Sequence, residues 1–460
     1  MKRQQSLLSD GSSTYIDTLQ IKNFRCFSDL NLKLHPELTV LVSANGQGKT
    51  SILDALRIVL SPYFRPIPQG SSVGIDWYDS RRVRYEMSME QQWPVEIAAE
   101  GYISGEYVNW QRFLRTAKSH TTVRESKDLI AMATELKKRV EANEEVVLPV
   151  FAYYGSQRLW REKRLRTKIL REHVKDKSRL AGYLYAWEPN SSSEYFLEWF
   201  FYAVRKNERF RMKVWENAQL SNGNPGEKDL REAPHQYQLD QIRRGMDTAL
   251  AQTGWKRMDC TSEDSLALHH DIHGELVLDQ LSDGIRITAL MVGDLAYRAV
   301  RLNPHLKGDV LSQTPGIVMI DEIELHLHPA WQQTIIPSLR EVFPKIQFII
   351  TTHSPQILST VPSESIRIME DQHIYSPEIG TEGAEASRIL KRVFMVDNRP
   401  PNIANAQNLA RYAELVHADK WDSDEAIDLR KRLDAIFKDD EPELQRLDLY
   451  IDNRRWEQKQ

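Results

Sequence analysis

The chain has 460 residues, 41% of them hydrophobic and 27% charged, which suits a globular protein with one large core and sizeable insertions. A formal net charge of −4 excludes a uniformly basic nucleic-acid coat, so any nucleic-acid contact must come from a local patch. Cys26 and Cys260 lie too far apart for a disulfide framework or cysteine metal spacing; with a polar N-terminal stretch and only strand-length apolar runs, they predict a cytoplasmic protein that does not enter a membrane.

The first elements read strand, strand, strand, helix. Tyr15–Ile21, Leu30–Leu34 and Leu38–Val42 are short and apolar, with Asn23, Asp29, His35 and Pro36 in the turns. A glycine turn leads into Ser51–Leu60, whose Ile52, Leu53, Leu56, Ile58 and Val59 recur at helical spacing. Val95–Tyr102 and Tyr107–Phe113 flank Ser104-Gly105 and predict a hairpin; Lys127–Glu144 predicts an amphipathic helix, and Val146–Tyr153 an apolar strand. Residues 158–180 hold ten Lys or Arg against three carboxylates. That density fits a phosphate-backbone or partner contact, or equally a solvated helix face. The segment's one Phe, Tyr or Trp, Trp160, makes no interleaved aromatic pattern for base stacking.

Ser191–Ser193 offers an N-cap for an aromatic-rich helix starting near Glu194, and Asn222–Gly226 is a loop. Leu266–His270 and Glu275–Leu278 predict a hairpin around His273-Gly274, and Ile285–Leu302 predicts a helix. Gly316–Ile320 and Gln347–Thr351 are buried-strand runs separated by a helix over Trp331–Phe343. From about Gly380 onward only polar helices are expected. Among these helices Leu409, Tyr412, Leu415 and Val416 form an apolar face suited to docking a subunit or partner.

Four motifs carry chemistry. Ser43-Ala44-Asn45-Gly46-Gln47-Gly48-Lys49-Thr50 lies between a strand and a helix, as a phosphate-binding loop requires. Backbone N–H groups of residues 46–50, continuing into Ser51, would cradle phosphates at the positive end of the helix. Lys49 would reach the β- and γ-phosphates and Thr50 would hold Mg²⁺. Ser43 stands where the pattern usually has its first glycine. Ile317–Ile320 followed by Asp321-Glu322 describes a buried strand with two carboxylates at its C-terminal tip, where α/β sheets bind ligands. Asp321 would steady the Mg²⁺ shell and Glu322 would polarise the attacking water.

Leu281-Ser282-Asp283-Gly284 opens a helix and offers an anion site, although taken alone it is also a plain N-cap. Thr351-Thr352-His353-Ser354-Pro355 puts His353 at a strand tip, near where a γ-phosphate would lie. His326 and His328, in Glu324-Leu325-His326-Leu327-His328-Pro329, have metal-like spacing. No third ligand accompanies them, and a subunit-packing loop explains them more simply.

The order phosphate loop, LSDG, apolar-DE, strand-tip histidine resembles the ABC ATPases. Ile21-Lys22-Asn23-Phe24-Arg25 before the loop is similar to RecF, Rad50 and SMC heads rather than to transporters. FRCF, LHPELTVLVSANGQGKTSILDAL, LPVFAYYGSQRLW, SRLAGY, LSDGIR, IDEIELHLHPAWQ, IQFIITTHSPQIL and ILKRVFMVDNRP closely resemble bacterial RecF/SMC-like ATPases that include the ATPase subunit of Septu anti-phage systems.

The resemblance implies an α/β fold: an ABC/SMC-type ATPase head with a mixed β-sheet core, inserted hairpin and helical segments, and a C-terminal helical region. It implies ATP and Mg²⁺ as cofactors and a head-to-tail sandwich dimer, or a larger assembly. In that dimer Ser282 and Gly284 of one copy bind the γ-phosphate held by Lys49 of the other. It further implies His353 as switch histidine, Gln157 as a glutamine-loop residue sensing Mg²⁺, and Arg25 at the nucleotide. Asp283 and Ile285 depart from the LSGGQ pattern. No heptad run long enough for an SMC coiled coil is present.

The expected segments are 1–62 (first core lobe with the phosphate loop), 63–144 (insertion with hairpin and helix) and 145–185 (return to the core and basic segment). They continue with 186–254 (helical insertion), 255–379 (second core lobe) and 380–460 (helical oligomerisation or partner region). The function implied is a regulatory ATPase of anti-phage defence that gates a separate small HNH endonuclease, the chain itself cutting no nucleic acid. The alternative is a RecF/Rad50-like repair ATPase without a nuclease partner. A self-contained nuclease with a Toprim C-terminus is disfavoured, because Asp422-Ser423-Asp424 reads as an N-cap rather than as strand-borne metal ligands.

Overall fold

A computed structural model describes residues 13–460 apart from 69, 71, 157–177, 189–191, 221–223, 225, 227–228, 230–231, 264, 439 and 458–460. The chain divides into two compact units, Met1–Ala386 and Ser387–Gln460. In the first unit the strands are β1 Tyr15–Phe24, β2 Phe27–Lys33, β3 Leu38–Ser43, β4 Arg82–Tyr85, β5 Ser88–Gln91, β6 Val95–Ile103, β7 Glu106–Leu114 and β8 Val150–Tyr154. They continue with β9 Trp255–Cys260, β10 Leu266–His270, β11 Gly274–Val277, β12 Gly316–Ile320, β13 Ile346–Thr351, β14 Ile366–Glu370 and β15 His373–Tyr375. The longer helices of this unit are α1 Lys49–Leu60, α2 Lys127–Glu141, α3 Ser192–Leu220, α4 Gln236–Leu250, α5 Asp283–Leu302 and α6 Ile335–Val342.

The central sheet runs β15-β14-β3-β13-β12-β8. Its five strands from β14 to β8 are mutually parallel, and β15 joins the edge antiparallel. Every residue of β3, β8, β12 and β13 is buried, which is why these strands are largely apolar runs rather than alternating ones, with Thr39, Ser43, Gln347 and Thr351 as buried polar exceptions. A parallel sheet points all its C-terminal ends to one edge. Here the residues after β3, β12, β13 and β8 therefore leave the sheet side by side.

A second, antiparallel sheet has the order β2-β1-β6-β7. The hairpin expected within 63–144 thus pairs with β1, through Ile21↔Ile97 and its neighbours. Gln347 of β13 ties the two sheets together. Its amide nitrogen donates to the carbonyls of Ile16 (2.8 Å) and His35 (3.0 Å), and its oxygen accepts from Ile16 N–H (2.9 Å). The two contacts with Ile16 fall where a β-bulge between Ile16 and Thr18 shifts the ladder. Helix α1 ends against β7, where Trp110 Nε1 donates to the Val59 carbonyl (2.7 Å) and Arg112 Nη1 to that of Ile58 (3.0 Å). These bonds satisfy carbonyls that a helix end leaves without intrahelical partners.

Three expectations need correction. The helix expected over Trp331–Phe343 is two pieces, Pro329–Gln332 and α6, because the first turn is closed by the His328 cap and the second restarts at Thr334. Strands β4, β5, β9, β14 and β15 carry no strong sequence signal and went unpredicted. Leu409, Tyr412, Leu415 and Val416 do not present a docking face. They are buried in the core of the second unit with Ala426, Leu429, Leu433, Leu444, Leu447 and Ile451, contributed by helices Ala404–His417, Asp424–Phe437 and Pro442–Glu457. Three short helices can bury enough apolar surface only by turning these faces toward one another.

Candidate nucleotide site

The loop between β3 and α1 turns at Gly46 and Gly48, both with left-handed backbone at φ +81° and +98°. A side chain at Gly46 would meet nothing within 4 Å, which leaves an open cradle. At Gly48 a Cβ would fall 2.5 Å from Cys26 Sγ and 2.6 Å from the Phe27 ring. The glycine at 48 is therefore a packing requirement as well as a conformational one. Asn45, Gly46, Gln47 and Gly48 lead into α1, with Thr50 and Ser51 in its first turn.

Lys49 is 8% exposed, and its ammonium donates to Ser43 O (3.0 Å), Ser43 Oγ (3.0 Å) and Ala44 O (3.3 Å). The serine that replaces the usual first glycine thus gives the lysine an additional oxygen. Burial pulls the Lys49 pKa down, opposed by the nearby carboxylates of Asp321, Glu322 and Glu324.

Asp321 and Glu322 leave the end of β12. Thr50 Oγ1 donates to Asp321 Oδ2 (3.0 Å), and Thr351 Oγ1 at the end of β13 donates to Asp321 Oδ1 (2.6 Å). Thr351 Oγ1 also accepts from the Glu322 N–H (2.7 Å), and Glu322 sits at φ +47°. The Thr50 hydroxyl and Asp321 carboxylate are hard oxygen donors already in contact, which fits a Mg²⁺ held by one or two protein oxygens plus nucleotide phosphates. The lysine, the open glycine cradle and this oxygen pair together fit ATP·Mg.

His353 follows β13. Its backbone N–H donates to Glu324 Oε1 (2.6 Å), and Thr352 Oγ1 donates to Glu324 Oε2 (2.7 Å). Burial lowers the pKa of the His353 ring, and the Lys49 charge lowers it further against the pull of Glu324, Glu322 and Asp321. The ring is therefore biased toward the neutral form, which can accept a hydrogen bond. Ser354 Oγ pairs with Gln332 Oε1 (2.6 Å) and caps the Ile357 N–H (3.2 Å).

The LSDG motif opens α5 two residues earlier than expected, with Ser282 as N-cap residue. Ser282 is exposed, and its hydroxyl makes no cap to its own helix. Gly284 is buried, and a Cβ there would lie 2.6 Å from the His326 carbonyl oxygen and 3.4 Å from the Trp331 ring. That glycine lets the start of α5 pack onto the loop after Glu322. Arg286 pairs with Asp283 (3.1 Å) and Asp279 (3.4 Å).

The Arg25 guanidinium is held by Asp54 (2.7 Å), one turn along α1 from Thr50, and by Asp79 (2.9 Å). Gln157 lies outside the described residues, as does the basic segment except for Ser178, Arg179 and Leu180. Arg179 is spent on backbone, donating to Leu302 O (2.8 Å) and Glu144 O (3.0 Å). His326 and His328 are exposed, and His328 Nδ1 accepts from Ala330 N–H (3.3 Å) as a helix cap. Among the described residues no group of three or more His, Cys, Asp or Glu is placed to hold a metal ion, and no helix is long and apolar enough to cross a membrane.

Sequence reasoning left Glu324, Thr351 and Gln332 without roles at the site. Their partners lie 28, 30 and 22 residues away in sequence, so local patterns do not reveal them.

Residues 18–219 match the family model described as an AAA domain, and residues 166–358 the model described as an AAA ATPase domain. Over 178 residues the chain is 40% identical to the Retron Ec83 probable ATPase of Escherichia coli, covering 39% of this chain and 32% of that one. Over 133 residues it is 29% identical to Septu protein PtuA of Bacillus thuringiensis, covering 27% of this chain and 34% of that protein. The chain thus spans about a third of the length of these curated relatives. Among solved structures, the SMC head domain from Thermotoga maritima superposes with a TM-score of 0.42 at 13% identity, over 80% of this chain and all of that one.

Proposed function

We propose that this chain, an ABC/SMC-type ATPase resembling Septu PtuA and the retron ATPases, is a regulatory ATPase of anti-phage defence that controls a separate effector nuclease of the HNH type. One observation carries the nucleotide chemistry: Lys49, Thr50, Asp321, Glu322 and His353 leave the same edge of one parallel sheet, with Thr50 and Asp321 in contact.

In this reading Lys49 and the N–H groups of the loop bind the phosphates and orient them at the helix N-terminus. Thr50 and Asp321 hold Mg²⁺, which supplies charge neutralisation at the phosphates when bound. Glu322 takes the proton of the attacking water. His353, neutral, orients the terminal phosphate by donating its ring N–H to a phosphate oxygen. Ser282, exposed and uncapped, serves the nucleotide of a second copy. The defence role draws on the relatives alone. In this reading Asp321, Glu322 and His353 serve nucleotide chemistry, and nucleic-acid cleavage falls to a partner.

The test is a mixed-dimer experiment. Lys49→Ala is expected to abolish most ATP binding. Glu322→Gln should bind ATP but turn over roughly 10²-fold or more slowly. Mixing Ser282→Arg with Lys49→Ala chains should restore part of the activity, since each mixed dimer retains one intact composite site. No gain over either parent, under conditions where subunits exchange, would sink the composite site. The purified chain should not cut plasmid, linear DNA or tRNA. Cutting that co-elutes with it and survives Lys49→Ala would refute the separate-nuclease reading.

A further inference from the structure

Three loops meet at the sheet edge, and the Ile323 N–H ties the loop after Asp321-Glu322 to the end of β13 by donating to the Thr351 carbonyl (3.2 Å). Glu324 takes over where that bond stops. Both of its carboxylate oxygens are engaged, one by the His353 N–H and the other by the Thr352 hydroxyl. Thr352 is fully buried. Its Oγ1 accepts in turn from the Ser354 N–H (3.0 Å), so one carboxylate sets the whole 352–354 turn. A carboxylate accepting two short hydrogen bonds in a partly buried site holds geometry better than neutral acceptors do, because each bond is charge-assisted. Each oxygen of Glu324 is thus already bonded to the 352–354 turn, whereas the base role is assigned to Glu322.

We propose that Glu324 is a positioning residue: by bonding the His353 N–H and the Thr352 hydroxyl together, it fixes the backbone that aims the His353 ring at the nucleotide. This rests on the site reading above, and it assigns the third acid of the Asp-Glu-Ile-Glu run to the histidine rather than to water or metal. The chemistry of the contact also sets what can replace Glu324. A glutamine keeps one oxygen acceptor and turns the other position into a donor, so it retains one of the two bonds. Alanine retains neither. Thr352→Ser keeps the hydroxyl, and Thr352→Val removes it at nearly constant shape.

The experiment combines hydrogen–deuterium exchange on the nucleotide-free full chain with steady-state ATP turnover. Glu324→Ala is expected to speed amide exchange in peptides covering 351–354 by about tenfold, since a charge-assisted bond protects the His353 N–H. It should lower kcat by about 10- to 100-fold with KM for ATP within about twofold, the pattern of a misplaced reacting group. Glu324→Gln should fall between Ala and wild type. Thr352→Ser should match wild type where Thr352→Val does not.

The decisive comparison is the double variant Glu324→Ala with His353→Ala, which should turn over no more slowly than His353→Ala alone. Multiplying losses would overturn the proposal, because Glu324 would then act independently of the histidine. Unchanged exchange at 351–354 would overturn it too. Faster exchange at unchanged kcat would instead overturn the role given to His353 in the parent reading. Melting curves of the Gln and Ser variants, which conserve shape, guard against general unfolding being mistaken for the effect.

Discussion

Deleting the Asp294 carboxylate should unfold the first unit several degrees earlier than wild type, and the structure sets the size. Asp294 and Arg298 lie one turn apart on α5 with both side chains at 0% exposure, Arg298 Nε donating to Asp294 Oδ2 at 2.9 Å. The Tyr154 hydroxyl donates to the same oxygen (2.7 Å), and Arg298 Nη1 donates to the carbonyls of Gly182 (2.9 Å) and Leu184 (3.0 Å). Asp294 Oδ1 and Arg298 Nη2 find no partner among the described residues, so part of the desolvation of each charge goes uncompensated. Asp294→Ala strands the guanidinium charge, at a cost of about 3–5 kcal/mol. For a unit spanning Met1–Ala386, an unfolding entropy near 2.1 cal/mol/K per residue gives about 0.8 kcal/mol/K, hence a fall in Tm of about 4–6 °C. Tyr154→Phe removes one hydrogen bond and should lower Tm by only about 1 °C. Asp294→Leu with Arg298→Met removes both charges at similar volume, and should recover at least about 2 °C of the single variant's loss. Scanning calorimetry of the four proteins decides it. Asp294→Ala within about 1 °C of wild type, or a double variant melting below Asp294→Ala, would refute the stranded-charge account.

Gly48→Ala should weaken ATP binding by about tenfold or more, because the left-handed backbone at φ +98° and the contacts with Cys26 and Phe27 together cost about 1–3 kcal/mol. Gly46→Ala, facing open space, should be milder. Titration with a fluorescent ATP analogue checks both, and equal affinity for the two variants would contradict the packing argument. His35 predicts a pH dependence. Burial holds its pKa below 6.5, and its Nδ1 accepts from the N–H groups of Glu37 (3.2 Å) and Leu38 (3.4 Å), which only an unprotonated nitrogen can do. The unfolded chain therefore takes up this proton before the folded chain does. The contribution is complete above pH 6.5 and is lost as pH falls through the lowered folded pKa. His35→Asn, whose side-chain oxygen can accept in the same turn, should flatten the decline of Tm between pH 8 and 5.5; an unaltered slope would rule His35 out as a contributor.

Much of this molecule was legible because its chemistry sits in short segments with fixed structural context. A strand, two glycines and Lys49-Thr50 must be adjacent in sequence to work, and so must four apolar residues and Asp321-Glu322. What stayed hidden was the pairing between such segments. Nothing local says that β13 lies between β3 and β12, so nothing local says that Thr351 reaches Asp321 or that Glu324 reaches His353. Glu324 was visible only as the start of a histidine pair. The histidines drew attention because HxH resembles a ligand set, yet the acid beside them makes the functional contact. Leu409, Tyr412, Leu415 and Val416 misled for a related reason: an amphipathic face states that something covers it, not whether the cover is a partner or the next helix. Strand β14 has five residues and β15 three, too few for alternation to stand out.

The same pairing explains why threonines cluster at this edge. Thr50, Thr351 and Thr352 sit where a segment leaves the buried sheet or enters the helix, and a β-branched side chain suits that packing while its hydroxyl faces the loops. Thr351 is the last residue of β13, with a fully buried side chain whose Oγ1 both donates to Asp321 and accepts from the Glu322 N–H. Valine would serve the strand equally well and leave a buried carboxylate oxygen without its donor, a loss of about 1–3 kcal/mol. The hydroxyls therefore belong to the loops rather than to the sheet: they register the end of β12 against the end of β13 and the start of α1. On the other side Tyr154, the last residue of β8, accepts the Asp321 N–H with its carbonyl (2.8 Å) while its hydroxyl holds Asp294 on α5. Asp321 is thus fixed from three directions, and the helix that carries Ser282 is seated on one of them. Tyr154 is thus one residue bonded both to Asp321 and to the helix that Ser282 opens, so in the proposed composite site it would link the carboxylate held for a chain's own nucleotide to the helix that presents Ser282 to a second copy.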